Sequence, residues 1–329
     1  MTPTQSRAAK PQIFWLCCLL PLVLCGQFSF GEDEQSLKDN ATRYMNDYLV
    51  DMETIANRAY LYSGDTTQIQ SQAEFSGTFP YMGFIASKSR ETDRETLSRF
   101  WFISSRTTVP SMMSGYGYDE VLVGTERWFS LAGGTTKKYI PVKDQEHKYE
   151  STKLDPRVAV LCTAGALELG LSFSRESYGY VTTLKLVKAV VCPFGLRAVY
   201  EAKTGWVHIV YDERKGFRPT LLAVTIAGVD IDKDVSNASL VNRARWEKNA
   251  EGTWMPIAGY NIDYKGMSAA SHTKFKRFSY KCLWLEPHEV PENAFDIEAI
   301  SSVPGVRFAE AEGWIKRLSK IPDVDEPKK

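Results

Sequence analysis

A single change of hydrophobic period organises this chain. Over residues 36–62, Leu37, Ala41, Tyr44, Met45, Tyr48, Leu49, Met52, Ile55, Ala56 and Ala59 recur three and four apart, which places them on one face of a long helix. Ser36 with Asp39 three residues later offers an N-terminal cap. Gly64 offers a stop. From Glu74 the period falls to two, and it stays near two for most of the remaining chain. One long helix followed by many alternating strands excludes helical bundles and parallel α/β folds.

The strands are predicted over 73–86, 97–105 and two within 119–131 joined at Gly124-Thr125, with a further short one over 137–142. Asp155-Pro156-Arg157 then starts a short helix, because Asp155 can cap and Pro156 suits the first helical position. Val181 to Val191 is an apolar run whose period does not separate helix from strand. Beyond Pro193 the pattern is a meander over 196–203, 205–212, 218–227, 240–249, 253–264 and 273–285. Ala258, Tyr260, Ile262 and Tyr264 share one strand face, and Phe278, Tyr280, Cys282 and Trp284 share another. One-sided alternation marks antiparallel strands with one wet face. Residues 310–320 read as a terminal helix, and 321–329 as a charged, proline-containing disordered tail. No linker divides the strands, so residues 32–320 read as a single domain built on one large curved sheet.

The first 31 residues stand apart. Arg7 and Lys10 precede an uncharged run from Ile13 to Cys25, and Ser29-Phe30-Gly31 supplies small residues before Glu32. This is the layout of a secretory signal peptide. A membrane anchor would need ~20 apolar residues. Lipidation at Cys25 would need a small residue where Leu22-Val23-Leu24 is bulky. The rest of the chain is thus expected in the periplasm or cell envelope, or secreted. Across the whole chain 40 basic and 40 acidic residues cancel, so without Arg7 and Lys10 the exported part is mildly acidic. It carries no basic stripe, which argues against nucleic acid as a partner. With 43% hydrophobic residues the whole chain can bury a substantial core. Cys162, Cys192 and Cys282 remain after cleavage, either as three buried thiols or as one disulfide with a free thiol.

No arrangement of residues nominates a catalytic site. No serine occupies a Gly-x-Ser-x-Gly frame, and Gly115-Tyr116-Gly117 meets Glu120 where a dinucleotide fingerprint needs glycine. His147, His208, His272 and His288 lack zinc-ligand spacing, so no metal is expected. Asp230, Asp232 and Asp234 mimic the start of a calcium loop, but Val235 and Val241 replace its glycine and glutamate. No cofactor is implied. Aromatic strand residues are what remains.

Gly252-Thr253-Trp254-Met255-Pro256, Asn261 to Tyr264, and Pro291-Glu292-Asn293-Ala294-Phe295-Asp296-Ile297 close a chain that opened with one exported helix. In this order of elements the chain resembles the superfamily of the outer-membrane lipoprotein carrier protein (the LolA-like fold) and its relative, the sigma-factor regulatory protein of envelope stress. The resemblance covers about residues 36–308. It implies mainly antiparallel β structure with packed helices: a strongly curved, unclosed half-barrel wrapping around helices. It also implies a non-enzymatic envelope protein binding a lipid or lipidated peptide on the concave face. Trp254, Tyr260, Ile262, Tyr264, Phe278, Tyr280 and Trp284 are the aromatic and apolar strand residues nominated for that face. The competing readings are that these residues pack on the helix, and that the protein is an interaction or stress-sensor module docking on another envelope protein.

Overall fold

The computed structural model describes residues 33–69, 77–89, 96–104, 116–123, 126–131, 137–139, 154–161, 179–203, 205–226, 238–264, 275–300 and 311–324. Residues 1–31, expected as a signal peptide, lie outside them, as do Cys162, His147, His272 and the acidic run 230–234.

Helix α1 spans Glu34–Thr54 and buries Ala41, Met45, Tyr48 and Met52. Its cap is Asp33 rather than Ser36: the Asp33 carboxylate accepts from the Ser36 amide at 2.6 Å. The helix also ends earlier than expected, with Ile55 as its C-cap. The reason is that Tyr60, Leu61 and Tyr62 alternate between two faces of a strand. Gly64, expected as the helix stop, sits inside that strand, β1 (Tyr60–Ile69). It is glycine because a Cβ there would lie 1.8 Å from the Ser279 carbonyl oxygen.

Strands β2 (Gly77–Ser89), β3 (Thr96–Ser104), β4 (Tyr116–Val123), β5 (Glu126–Leu131) and β6 (Lys137–Tyr139) follow. A short helix α2 (Pro156–Ala159) comes next, opened by Asp155 as expected. The ambiguous apolar run divides into α3 (Gly179–Thr183) and β7 (Lys185–Cys192). The meander continues as β8 (Gly195–Ala202), β9 (Gly205–Asp212), β10 (Arg218–Ile226), β11 (Leu240–Lys248), β12 (Trp254–Asp263) and β13 (Phe275–Trp284). Helix α4 (Ala311–Leu318) closes the chain. Ile321 and Val324 pack beyond it, and Lys281 pairs with Asp323 at 3.1 Å.

All thirteen strands form one sheet in the order β6-β5-β4-β3-β2-β1-β13-β12-β11-β10-β9-β8-β7. Every adjacent pair is antiparallel. The first six strands grow outward from β1; the chain then crosses to the far edge and returns strand by strand. The two meanders meet at the β1–β13 seam, which pairs ten residues from Tyr60↔Trp284 to Ile69↔Phe275. Among the described residues strands β6 and β7 are the edges, and the half-barrel is unclosed.

Its curvature follows from packing. Side chains of β7 to β12 gather in one cluster around α1: Ala189, Ala198, Ile209, Leu222, Trp246 and Met255 all belong to it. A flat run of six strands is about 24 Å wide, whereas a helix with its side chains is about 10–12 Å across. The sheet therefore bends around the helix. Tyr44 stacks on Phe217 at 4.0 Å, and Tyr48 meets Trp246 edge-on at 5.9 Å. Trp246 is fully buried and donates its indole N–H to the Pro219 carbonyl at 2.8 Å. Helix α4 packs on the other face, where Trp314 and Leu318 meet Leu61, Phe84 and Trp101. We call the α1 side the inner face and the α4 side the outer face.

Trp246→Ala is expected to cost about 3–5 kcal/mol of unfolding free energy, the range for a buried large-to-small change. The midpoint of urea unfolding measures it.

Candidate functional site

The inner face has two occupants. Helix α1 covers the β7–β10 side, and residues 154–161 cover the region around β1, β12 and β13. The floor beneath residues 154–161 is aromatic. Tyr60 and Tyr62 come from β1, Tyr81 from β2, Phe100 from β3, and Phe278, Tyr280 and Trp284 from β13, with Cys282 among them. Alternation puts them on one face, and the rings touch: Tyr81 stacks on Phe278 at 4.9 Å, and Tyr60 packs on Trp284 at 4.9 Å. Glycines make the room. Tyr62 lies over Gly83, and Tyr280 over Gly259, where a Cβ would stand 2.6 Å from its ring.

The seven residues nominated from sequence do not share this face. Phe278, Tyr280 and Trp284 belong to the inner floor. Tyr260 and Ile262 are buried on the outer face with Ala223, Val241, Tyr264, Phe275 and Val324. The register decides this. Asn261 stands opposite Phe278, and Gly259 opposite Tyr280, so the odd positions of β12 share a face with the even positions of β13. Two alternations that look equivalent in sequence are out of phase by one residue. Trp254 lies beyond a register shift between β11 and β12, at the inner rim near the C-terminus of α1. The residues that sequence reasoning missed are Tyr60 and Tyr62, hidden by the overextended helix, and Tyr48, read only as core.

Three neutral donors hold the 154–161 backbone. The Tyr48 hydroxyl donates to the Arg157 carbonyl. Tyr60 donates to the Leu154 carbonyl at 2.8 Å, and the Asn242 amide to the Val160 carbonyl at 3.2 Å. Asn261 in turn donates to Asn242, which fixes its amide. A fourth donor, the Tyr280 hydroxyl, is buried with no hydrogen-bond partner among the described residues. Such an orphan costs about 1–3 kcal/mol. The charges in this region sit on residues 154–161 themselves, where Arg157 grips Asp155 through Nε at 2.8 Å and Nη2 at 2.6 Å.

Burial sets the electrostatics. It pushes the hydroxyls of Tyr48, Tyr60, Tyr62, Tyr81 and Tyr280 well above the usual phenol range. Burial, reinforced by the Asp155 charge, pushes the Cys282 thiol up as well. These groups stay protonated at neutral pH, so the floor offers hydrogen-bond donors and apolar surface rather than a nucleophile or a general base. Cys192 and Cys282 are free thiols. Among the described residues no three His, Cys, Asp or Glu side chains gather as metal ligands.

His208 is a packed histidine, within 3.2 Å of the Thr225 hydroxyl. Burial first, and then the Arg197 charge, brings its pKa down to about 4.

Comparison with solved structures finds matches that include three bacterial proteins. A domain from Vibrio parahaemolyticus described as a putative outer membrane lipoprotein-sorting protein is 12% identical, covering 78% of this chain and 96% of its own, with a TM-score of 0.39. A DUF1329 family protein from Desulfovibrio piger is 12% identical over 78% of this chain and 97% of its own, with a TM-score of 0.37. A beta-barrel-like DUF1849 domain from Brucella abortus is 7% identical over 70% and 98%, with a TM-score of 0.22. No protein-family model matches the chain, and no curated protein matches it.

Two stability measurements check this geometry. Gly259→Ala drives a methyl group into Tyr280 and is expected to cost about 1–3 kcal/mol. Gly313→Ala in α4, with open space around it, is expected to gain up to about 1 kcal/mol. For His208 the folded pKa lies below the usual histidine value of 6.5. Its neutral form is the one that folding favours, so stability is retained above about pH 6.5 and lost as pH falls toward 4. Unfolding midpoints measured across that window should drop less steeply for His208→Gln than for the wild type.

Proposed function

We propose that this chain is a non-enzymatic envelope protein that binds an apolar ligand carrying carbonyl groups, such as an acyl ester or a lipidated peptide, on its inner floor. One observation carries the reading. The three donors aimed at residues 154–161 contact backbone carbonyl oxygens, not side chains. An ester or amide oxygen presents the same acceptor. A ligand with such groups can take the place of residues 154–161, with its chain lying on Tyr62, Tyr81, Phe278, Tyr280 and Trp284. The Tyr280 hydroxyl then gains the partner it lacks. The protonated tyrosines favour this use, since an uncharged donor loses less on desolvation than a charged one. The signal-peptide layout of residues 1–31 supports this reading, since export would bring the protein to an envelope where lipidated molecules are handled.

A second reading has one observation in its favour. The floor is filled in this structure, as expected for an interaction module that docks through its exterior. The two separate on binding of an anthroyloxy-labelled fatty acid. Tyr280→Phe should leave the free protein as stable as the wild type or more so, because the lost hydroxyl had no partner. The same change should weaken probe binding about tenfold, the worth of one hydrogen bond. Tyr260→Phe on the outer face should leave probe binding unchanged. No uptake by the wild type would sink the carrier reading in favour of the second.

A further inference from the structure

A second site stands apart from the inner floor, where the C-terminus of α1 meets β10 and the β11–β12 turn. It is a cavity of about 500 Å³ walled by Asp51, Thr54, Arg58, Arg218, Glu251 and Trp254, with Ile55 as a buried apolar floor. That volume falls within the usual range for small-molecule sites.

The walls are held rigidly. The turn carrying Glu251 is fixed by Asn249, whose side-chain oxygen accepts from the Glu251 amide at 3.1 Å and the Thr253 amide at 2.8 Å. Arg218 reaches across to Asp51 and donates to the Gly216 carbonyl at 3.0 Å. Arg58 reaches Glu251 on one side and Glu286 at 3.2 Å on the other. The cavity thus contains two guanidinium–carboxylate pairs, one on each side of the last turn of α1.

The ligand chemistry follows from this charge pattern. The two arginines already hold carboxylates, so a charged ligand would have to break an ion pair to make its own. A neutral molecule rich in hydroxyls does not: each hydroxyl can donate to a carboxylate oxygen and accept from a guanidinium N–H beside it. The Thr54 and Thr253 side chains add further polar groups to the lining. The indole of Trp254 supplies an aromatic wall for the C–H face of a ring. Lys215 and Lys248 hold its orientation, with their ammonium groups 5.5 and 5.2 Å from the ring centre. Aromatic wall, paired donors and acceptors, and cancelled charge together fit a saccharide.

We propose that this cavity binds an uncharged saccharide, with its ring against Trp254 and its hydroxyls bridging the Asp51–Arg218 and Arg58–Glu251 pairs. The proposal does not rest on acyl binding at the inner floor. The full chain is titrated with chitobiose, cellobiose and maltotriose, followed by calorimetry and tryptophan emission. Saturable binding tighter than about 1 mM is expected for at least one of them. Trp254→Ala should abolish it, and Trp254→Phe should retain most of it. Arg218→Lys keeps the charge facing Asp51 but removes the forked guanidinium donors, and should weaken binding about tenfold. Tyr280→Phe should leave it unchanged, which keeps this result separate from the acyl-ligand test. Circular dichroism confirms that each variant is folded. The proposal is overturned if no saccharide binds, if binding survives Trp254→Ala, or if the cavity takes phosphocholine or inorganic phosphate in preference to every sugar.

Discussion

The pairing of β1 with β13 is the constraint on which the rest of the structure depends. It joins a strand that follows the first helix directly to the last strand of the sheet, across more than 200 residues of sequence. Without it the molecule would be two meanders, each ending in a further unpaired edge. With it, one continuous sheet can bend around α1 and still extend past it to β6. The seam also carries the aromatic floor, because Tyr60, Tyr62, Tyr280 and Trp284 come from its two strands. Pairing, curvature and candidate site are one physical event.

Curvature and aromatic content depend on each other through the glycines. A tyrosine ring can lie across a neighbouring strand only where that strand has no Cβ in the way, as Tyr280 does over Gly259 and Tyr62 over Gly83. The rings cover backbone that the glycines would leave bare. Their hydroxyls are carried to the middle of the face, where burial keeps them protonated and ready to donate. A surface built this way is apolar over most of its area and polar at a few fixed points, the combination that positions an amphiphilic ligand.

Much of this architecture was legible in the sequence. The long helix, the meander after Pro193, the Asp155-Pro156-Arg157 start and the antiparallel, unclosed sheet all follow from periodicity and turn residues, together with the resemblance. The site was legible only in part. Periodicity shows that Tyr260 and Ile262 share a face, and that Phe278 and Tyr280 share a face. It does not show whether these are the same face, because that depends on a one-residue difference in cross-strand register. Tyr60 and Tyr62 were absorbed into the helix, since aromatic residues near a helix end fit both periods until a pairing partner is known. The cavity beside Trp254 was invisible for another reason: its walls come from four separate elements, brought together only by folding.

We propose that residues 154–161 and an acyl ligand compete for the same floor. Hydrogen–deuterium exchange, recorded with and without palmitoyl-lysophosphatidylglycerol, tests it most directly. If the ligand takes their place, the backbone amides of residues 154–161 exchange faster when it is bound, while those of α1 and the β1–β13 seam keep their protection. Unchanged or increased protection of residues 154–161, with the ligand shown to be bound, would contradict the account.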